Sequence, residues 1–352
     1  MNIAIIGAGA CGLLLANLLN EKKISYKIFN KGKVGRKILA SGNGRCNISN
    51  NNLSKNSYNN DFAYKLVNDN INDLFELFNK LHIYTKSDYE GRMYPLSESS
   101  QSVLNILLNN INKDDIIDLE VNNISKKNNL YYINNTYGPF DKIIIAIGSN
   151  ASYKKPYNSL KIIDDLNLKF NDFMPSLVGF KTNLKLKEIS GVRQKGNVSL
   201  YNNDKLIHTE DGEFIFKDDG ISGICIMNLS SFYQRLNNKS KSYIKLDLSP
   251  NSNFKYLDSV LNPKLLKYIK NNNIDYHNFI IPIKDVYDFE FAQVSHGGID
   301  IKEINDNLSL KKDNNIYVGG EIIDVDGLCG GYNLMFAFTS AIIISKNIWN
   351  MK

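Results

Sequence analysis

Apolar residues at the start of the chain are spaced as a β-α-β unit requires. Residues 3–6 form a short apolar run, 13–19 are almost entirely apolar, and 26–29 form a second run. We therefore expect a strand, a buried helix and a second strand within about thirty residues. A continuous apolar run at 143–147 predicts a further strand that is covered on both faces.

Helical spacing of apolar residues recurs at 61–81 and at 99–112, before the pattern changes near residue 174. Well beyond that point, a further helical stretch is predicted near 254–270, and Asn262-Pro263 is expected to interrupt it. A last helix is predicted from about residue 331 to 348. Between residue 174 and the helical stretch near 254–270, short alternating segments predict β-structure at 180–186, 196–200, 204–209 and 213–216.

This order of patterns predicts an α/β fold whose first domain is interrupted by an insert. The first domain comprises residues 1–173 and 291–352, and a β-rich substrate domain occupies 174–290. Within the insert, the residues of about 228–272 are expected to form a helical part.

Composition and charge narrow the class of protein without deciding what it does. The chain has 42 Lys+Arg and 36 Asp+Glu, hence a net charge of +6, and 43% of its residues are hydrophobic. These values exclude a disordered protein. The lysines are dispersed among about fifty asparagines, so a compositional bias explains the positive charge as well as a nucleic-acid partner does.

Cysteine and histidine usage favours a reduced, cytoplasmic protein without a metal site, because neither shows metal-ligand spacing. The apolar stretch 3–19 lacks the basic start of a signal peptide, and 336–344 is shorter than the roughly 20 residues that a bilayer needs. We therefore expect no membrane association, and the sequence leaves the oligomeric state open. The cysteines, which form no CxxC pair, are Cys11, Cys46, Cys225 and Cys329.

A GxGxxG turn follows the first predicted strand and opens the first helix. Gly7 allows the tight turn, Gly9 lets a pyrophosphate approach the backbone, and Gly12 lets the helix pack on the strand. The N–H groups at the start of the helix, from Ala10, then favour phosphate. This placement predicts a dinucleotide-binding site, and the alternative is a glycine-rich turn with a structural purpose only.

The second strand ends without the acid that usually holds the adenosine ribose. Asn30 occupies that place, and its amide can still hydrogen-bond a ribose hydroxyl without the help of a charge. This favours a tightly held FAD, bound at many points, over a freely exchanging NAD. The alternative is that Asn30 is another product of the asparagine bias.

A loop rich in glycine and cations follows that strand directly, at 35–47. It suits a backbone that lies against a flat or anionic ligand, with Arg36 or Lys37 near phosphate and Arg45 near the reacting end. The cofactor-binding residues expected in this loop are Arg36, Lys37, Gly42 and Gly44.

Residues 317–333 combine a strand, an acid, a glycine-rich loop and a helix start. Glu321 can accept hydrogen bonds from a ribityl chain, and the start of the helix can stabilise negative charge on a flavin ring. Gly148, at the end of the 143–147 strand, leaves room for a cofactor. The other cofactor-binding residues expected here are Gly320, Gly330, Gly331, Tyr332 and Asn333.

Two segments carry a resemblance to a known family: GRKILASGNGRCNISN at 35–50 and GGEIIDVDGLCGGYN at 319–333. They resemble the paired hallmarks of a bacterial flavoprotein family, usually labelled NAD(P)/FAD-dependent, or aminoacetone-oxidase-like, oxidoreductases. Shorter motifs at 91–95, 212–223 and 294–299 are similar to that family in the same order. The resemblance implies a glutathione-reductase-like, Rossmann-type FAD domain with an inserted β-barrel-like domain and a small helical subdomain.

The resemblance also implies an activity. Members of the family are associated with reducing a uridine of large-subunit (23S) ribosomal RNA to dihydrouridine, and with a reductive step on bile-acid steroids. We expect the first activity, with ribosomal RNA or its precursor as partner. The alternatives are a flavin-dependent reductase or oxidase of a small molecule (an enone, steroid or amine), and a non-catalytic, flavin-containing RNA-binding protein.

Three residues in the segments near the expected ring are candidates for catalysis. Cys46 or Cys329 could protonate the substrate, because a thiol with a pKa of about 8.5 stays protonated at neutral pH. Arg45 could orient a carbonyl or phosphate. The alternatives are packing roles for the cysteines and a structural salt bridge for Arg45. The sequence has no second glycine-rich Rossmann turn, so NAD(P)H is expected to visit as a transient electron donor.

Overall fold

The computed structural model of the chain describes residues 1–154, 160–249 and 256–349. These residues divide into two compact units, each described by itself below. The first unit comprises residues 1–150, 160–173 and 297–349. The second comprises residues 151–154, 174–249 and 256–296. The chain returns to the first unit at residue 297, within the strand Val294–Ile299, and the domain bounds at 174 and 291 stay predictions.

The first unit contains most of the helices, whereas strands dominate the second. The α-helices are α1 (Ala10–Glu21), α2 (Arg36–Ala40), α3 (Asp61–Asn68), α4 (Ile71–Lys80), α5 (Ser100–Asn109), α6 (Lys161–Asp165), α7 (Ile224–Gln234), α8 (Pro263–Asn271) and α9 (Tyr332–Trp349). The strands up to the insert are β1 (Asn2–Ile6), β2 (Ser25–Asn30), β3 (Ser49–Asn50), β4 (Thr85–Ser87), β5 (Arg92–Pro95), β6 (Ile116–Asp118), β7 (Ile124–Lys127), β8 (Leu130–Ile133), β9 (Tyr137–Phe140), β10 (Lys142–Ile145) and β11 (Phe170–Ser176). The remaining strands are β12 (Phe180–Lys181), β13 (Arg193–Asn202), β14 (Lys205–Lys217), β15 (Gly220–Ser222), β16 (Ser242–Asp247), β17 (Phe279–Pro282), β18 (Asp285–Val286), β19 (Val294–Ile299), β20 (Ser309–Leu310) and β21 (Asp313–Val318).

The first unit is built on a six-stranded sheet in the order β20-β21-β10-β1-β2-β6. All its neighbouring pairs are parallel except β20 with β21. Helix α1 is buried along nearly its whole length, as an almost entirely apolar helix must be. Because the strands are parallel, the carboxyl ends of β1, β2, β10 and β21 meet at one edge, where open α/β sheets bind ligands.

A small antiparallel sheet, β3-β5-β4, also belongs to the first unit. Its register places Ser49 opposite Met93 and Asn50 opposite Arg92. The strand β3 follows the glycine-rich loop at 35–47 directly, so this sheet fixes where the end of that loop lies.

The second unit contains a seven-stranded sheet in the order β17-β16-β13-β14-β15-β12-β18, in which all neighbouring pairs are antiparallel. The short strands predicted at 196–200, 204–209 and 213–216 are parts of one long hairpin, β13–β14. Its turn residues Asn203 and Asp204 have positive φ angles, which a two-residue turn between twisted strands favours.

The predicted helical part at about 228–272 needs correction. Strand β16 lies in its middle, because Ser242–Asp247 alternates between buried and partly buried residues with period two. The predicted interruption at Asn262-Pro263 is instead the start of α8. The Asn262 side chain accepts a hydrogen bond from the Lys264 N–H, and proline suits the first helical position because its missing N–H would have no partner there.

Candidate functional site

The glycine-rich turn after β1 is held by close backbone contacts. The N–H of Gly7 donates to the carbonyl of Phe29 (2.8 Å), and Gly7 has a φ of 109°. A Cβ on Gly7 would lie 2.3 Å from the carbonyl oxygen of Ala146, and one on Gly12 would lie 2.0 Å from the carbonyl oxygen of Gly7. Side chains are therefore excluded at both positions by neighbouring backbone.

Gly9 differs from the other two glycines of the turn because its surroundings are open. A Cβ at Gly9 would meet no atom of the described chain within 4 Å. Gly9 is also the N-cap of α1, and no side chain caps this helix end. The first N–H groups of the helix, from Ala10 onward, are thus left for an anion that approaches through the open space.

Asn30 lies at the end of β2, where the ribose contact is predicted. Its Oδ1 accepts the N–H of Ala8 (2.9 Å), and its Nδ2 donates to the carbonyl of Gly32 (2.9 Å). The amide therefore ties the phosphate turn to the end of β2. A carboxylate could make the first contact but not the second, because it has no proton to donate. The contact to a ribose stays a prediction.

The loop at 35–47 turns sharply. Gly42, Asn43, Gly44 and Cys46 all have positive φ angles, and a Cβ on Gly42 would lie 2.9 Å from the backbone nitrogen of Asn47. Gly44, like Gly9, faces open space, since a Cβ there would meet nothing within 4 Å. The backbone at Gly44 can thus lie against a flat ligand.

Lys37 joins three of the predicted cofactor segments. Its Nζ lies 2.6 Å from Glu321 Oε2 and 2.7 Å from Ser149 Oγ. Ser149 Oγ in turn donates to Glu321 Oε1 (2.7 Å). Burial lowers the pKa of Lys37, while the Glu321 carboxylate opposes that shift. The other cation predicted to bind the cofactor from this helix is Arg36, which is half-buried at the start of α2.

The start of α9 lies against β3. A Cβ on Gly331 would lie 2.4 Å from the carbonyl oxygen of Ser49 and 2.6 Å from Asn47 Oδ1. Asn50 Nδ2 donates to the carbonyl of Gly330 (2.9 Å). The segments 35–50 and 319–333, predicted separately, therefore meet at the N-terminus of α9.

Two of the predicted cofactor residues at this helix start hold the loop itself. The hydroxyl of Tyr332 donates to the carbonyl of Asn52 (2.9 Å). The side chain of Asn333 accepts the N–H of Gly327 and donates to the carbonyl of the same residue (both 2.9 Å). Any contact from these side chains to a cofactor remains a prediction.

Two buried polar atoms beside the start of α9 have no hydrogen-bond partner among the described residues. They are Asn47 Oδ1 and Ser49 Oγ, and Ser49 is completely buried. Burying such atoms without a partner costs about 1–3 kcal/mol each, so they mark the junction of β3 and α9 as part of the candidate site. We refer to the edge of the sheet from Gly9 to this junction as the crevice, and its occupation by a dinucleotide stays a prediction.

One known protein family matches the chain over nearly its whole length. The family described as HI0933-like protein Rossmann domain matches residues 1–347. The chain belongs to this family.

Relatives match the chain from end to end. A 3-dehydro-bile acid delta(4,6)-reductase of Clostridium scindens is 24% identical over 98% of this chain and 98% of its own length. A ribosomal RNA dihydrouridine synthase of Escherichia coli is 26% identical over 98% of this chain and 97% of its own. The solved 3-ketosteroid delta1-dehydrogenase from Sterolibacterium denitrificans shares the fold, with a TM-score of 0.51, 10% identity and 99% coverage of both chains.

These matches confirm two predictions, the family and the Rossmann-type α/β fold. FAD and the oxidoreductase activity belong to the proposed function. The electron donor, the substrate and the roles of single residues stay predictions. None of the helices in the described ranges is long and apolar enough to cross a membrane.

The three candidate catalytic residues have different surroundings. Arg45 is exposed, and its guanidinium lies 4.8 Å from the ring centre of Tyr94. Cys46 is completely buried, and this burial raises the pKa of its thiol to about 11, although a contact from Ser41 opposes the shift. Cys329 is partly exposed. It precedes Gly330, and Cys46 precedes Asn47, so the contacts at the start of α9 bring both segments together.

Sequence reasoning missed three polar residues of the site: Asn47, Ser49 and Ser149. All three lie within or directly after segments that were singled out, since Ser149 follows Gly148 and the other two follow Arg45. Their position beside glycine-rich turns was the available signal. The pairing of Ser149 with Lys37, 112 residues away, had no signal in the sequence.

Proposed function

We propose that this chain is a cytoplasmic, FAD-dependent reductase that converts a uridine of large-subunit ribosomal RNA to dihydrouridine. The observation that carries the proposal is the crevice at the carboxyl ends of the parallel strands, in a chain that matches a ribosomal RNA dihydrouridine synthase from end to end. The open backbone at Gly9 supports a bound pyrophosphate, and the unpartnered atoms of Asn47 and Ser49 support a polar ring at the other end.

The reaction adds a hydride to C6 of uracil and a proton to C5, so one C=C bond is lost and two C–H bonds form. FAD, when bound and reduced by two electrons from NAD(P)H, would supply the hydride. The chain has to hold the base, exclude water from the reacting end and deliver the proton.

Arg45 is the residue that we assign to substrate binding. It is exposed at the end of the glycine-rich loop, and its contact with Tyr94 holds the guanidinium above an aromatic ring. A guanidinium in this position can pair with an RNA phosphate or with a carbonyl of the base.

Cys329 suits the role of proton donor better than Cys46. A useful general acid has a pKa near the working pH, and the pKa of the buried Cys46 thiol is raised to about 11. Cys46 is also fully buried, whereas Cys329 is partly exposed. We therefore assign the proton at C5 to Cys329 and a packing role to Cys46.

NAD(P)H is the electron donor that we propose. The GxGxxG turn after β1 is assigned to FAD, and the sequence has no second turn of this type. A nicotinamide would then reach the reacting end transiently, before the RNA substrate binds.

A second candidate function is the reduction of a conjugated C=C bond in a small molecule such as a steroid enone. It is favoured by the similarity to the bile-acid reductase of Clostridium scindens, which covers 98% of both chains. The chemistry is the same, because a uracil C5=C6 bond and an enone C=C bond are both conjugated to a carbonyl.

The test is deletion of the gene followed by mass mapping of large-subunit ribosomal RNA. We expect one uridine to lose the two mass units of a dihydrouridine in the deletion strain, and the wild-type gene to restore them. A Cys329→Ser gene should restore little, whereas Cys225→Ser, a change of a buried cysteine in the second unit, should restore fully. An unchanged modification map in the deletion strain would exclude this substrate.

A further inference from the structure

Helix α8, in the second unit, carries a row of lysines on its outward side. The three lysines are exposed and lie three residues apart, at Lys264, Lys267 and Lys270. Because an α-helix has about 3.6 residues per turn and rises about 1.5 Å per residue, this row spans about 9 Å along the helix axis. The opposite side of the helix is buried in the core of the second unit through Leu265, Leu266, Tyr268 and Ile269.

A second pair of exposed lysines lies on the segment that packs against this helix. Lys187 begins the short 3₁₀ turn Lys187–Ile189, which contacts α8. The hydroxyl of Tyr268 donates to the carbonyl of Lys185 (3.2 Å), so the same segment is tied to the middle of α8. Lys185 and Lys187 are both exposed. We call five residues the lysine patch: Lys185, Lys187, Lys264, Lys267 and Lys270.

The charges of the lysine patch are not balanced by acids. Among the residues that the structure describes, no carboxylate lies within 4.0 Å of any of the five ammonium groups. Helices α3, α4 and α6 carry at least one acid for each lysine, whereas α8 carries three lysines and no acid. Three exposed lysines on helices of the first unit, by contrast, form ion pairs of 2.6–3.0 Å: Lys65 with Asp306, Lys80 with Glu21, and Lys346 with Asp73.

This arrangement of charge does not favour α8 itself. Lysines three residues apart on a helix repel each other, and Lys264 lies in the first turn, at the positive end of the helix dipole. The first turn contains no acid that would offset this charge. Glu188, in the adjoining 3₁₀ turn, acts on Tyr268 instead: burial is the first cause of the raised pKa of Tyr268, and the charge of Glu188 is the second. The row of lysines therefore suits an anion from outside the chain better than it suits the stability of the helix.

The backbone of RNA fits the lysine patch better than a lipid bilayer does. A helix that binds a bilayer inserts its apolar face, but the apolar face of α8 is buried in the second unit. Lysine is a point charge on a flexible stem, so it pairs with phosphate and does not read a base edge as an arginine fork does. A row of cations about 9 Å long also matches the closely spaced phosphates of a nucleic-acid strand.

We propose that the lysine patch is a docking surface for the phosphate backbone of RNA, which it holds independently of base sequence. That the polyanion is RNA rests on the proposed function, in which ribosomal RNA is the substrate. The proposal separates two tasks: the second unit binds RNA through its phosphates, and the first unit carries the chemistry at one uridine. Loss of the patch is expected to weaken RNA binding and to leave the choice of uridine unchanged.

The experiment measures the binding of the full-length protein to large-subunit ribosomal RNA from the deletion strain, over a range of KCl concentrations. The test protein carries three substitutions in α8: Lys264→Gln, Lys267→Gln and Lys270→Gln. Glutamine and lysine have similar helix propensities, so the helix is expected to persist. The control protein loses the same net charge at three exposed, ion-paired lysines of the first unit: Lys65→Gln, Lys80→Gln and Lys346→Gln. A third protein carries arginine at the three α8 positions.

We expect the test protein to have a Kd for RNA raised about tenfold or more at about 0.1 M salt. The dependence of log affinity on log salt concentration should become shallower by about 2, because each phosphate contact contributes about 0.7–0.9 to that slope. The control protein should change the Kd less than about twofold, and the arginine protein should bind as the wild type does. In the deletion strain, the test protein should form less dihydrouridine at the same uridine.

A test protein with the wild-type Kd and salt slope would overturn the inference. A control protein that weakens binding to the same degree would also overturn it, because net charge alone would then explain the loss. If the test protein does not fold, Lys267→Glu replaces it, since this single change reverses the central charge of the row. Wild-type RNA binding by Lys267→Glu would overturn the inference as well.

Two further results separate this inference from the proposed function. Patch-dependent RNA binding with an unchanged modification map in the deletion strain would support the docking surface and exclude the proposed reaction. Normal dihydrouridine formation and normal RNA affinity in the test protein would leave the proposed function in place and overturn only the inference. A wild-type protein that binds phosphatidylglycerol vesicles but not RNA would overturn the inference in favour of a lipid partner.

Discussion

The two ends of the crevice in the first unit differ in the groups that they offer to a ligand. At the phosphate end, around Gly7–Gly12, backbone packs on backbone, and no side chain caps the start of α1. At the other end, where β3 meets α9, the buried side-chain atoms of Asn47 and Ser49 have no partner in the described chain. The first end offers open space beside backbone N–H groups that no side chain caps, and the second offers polar side-chain atoms.

This difference is the one that the proposed cofactor, a dinucleotide flavin, would require. A pyrophosphate carries charge and needs N–H groups and close approach, which glycine and a helix N-terminus supply. A flavin ring carries polar edges that must be matched one by one. The phosphate end can therefore be recognised from a short sequence motif, whereas the flavin end depends on residues that only the fold brings together.

The largest expected effect comes from filling the phosphate turn. Gly12→Ala would place a Cβ 2.0 Å from the carbonyl oxygen of Gly7, so the helix and the turn cannot both stay in place. We expect a loss of about 3 kcal/mol or more in the free energy of unfolding, measured by urea denaturation of the apoprotein. The control is Gly9→Ala in the same turn, where φ is −92° and a Cβ would meet nothing within 4 Å. A Gly12→Ala protein as stable as the control would contradict the close packing.

The second prediction distinguishes, at the same turn, space that a ligand would occupy from space that the protein itself fills. Gly9→Ala adds a methyl group where the described chain has no atom within 4 Å, so the free energy of unfolding should change by less than about 0.5 kcal/mol. The Kd for FAD should nevertheless rise at least about tenfold, because the methyl group occupies the path of the pyrophosphate. FAD titration with tryptophan or flavin fluorescence measures this. Unchanged FAD affinity would show that the phosphates lie elsewhere.

The third prediction addresses the flavin end. Ser49→Ala removes a hydroxyl that is completely buried and has no partner in the described chain. The apoprotein should keep its stability or gain up to about 1 kcal/mol in the free energy of unfolding, measured by urea denaturation, because no hydrogen bond within the described chain is lost. A clearly less stable variant would show that the hydroxyl has a partner in the fold.

The smallest expected effect concerns Cys46 at high pH. Burial raises the pKa of its thiol from 9.0 to about 11, so the unfolded chain loses this proton before the folded chain does. Folding stability should therefore fall as the pH rises from about 9 to about 11, and Cys46→Ala should reduce that fall. The measurement is the thermal midpoint at several pH values. A wild-type protein and a variant with parallel pH profiles would contradict the buried environment of Cys46.

The sequence predicts more of the fold than of the candidate site. Apolar runs and the GxGxxG turn depend on local spacing, so the β-α-β start and the parallel sheet followed from them. Asn262-Pro263 was misjudged because a proline can either interrupt or begin a helix, and the pattern alone does not decide between them. The contact of Lys37 with Glu321 joins residues 284 positions apart, and no spacing rule indicates such a pair.

The most direct measurement of the proposed activity is a single turnover under anaerobic conditions. The holoprotein, with its flavin reduced, is mixed with a large-subunit ribosomal RNA fragment, and flavin absorbance is followed while the RNA is analysed by mass spectrometry. The account predicts that the flavin is reoxidised and that one uridine gains two mass units. A flavin that stays reduced with RNA but is reoxidised by a steroid enone would contradict it.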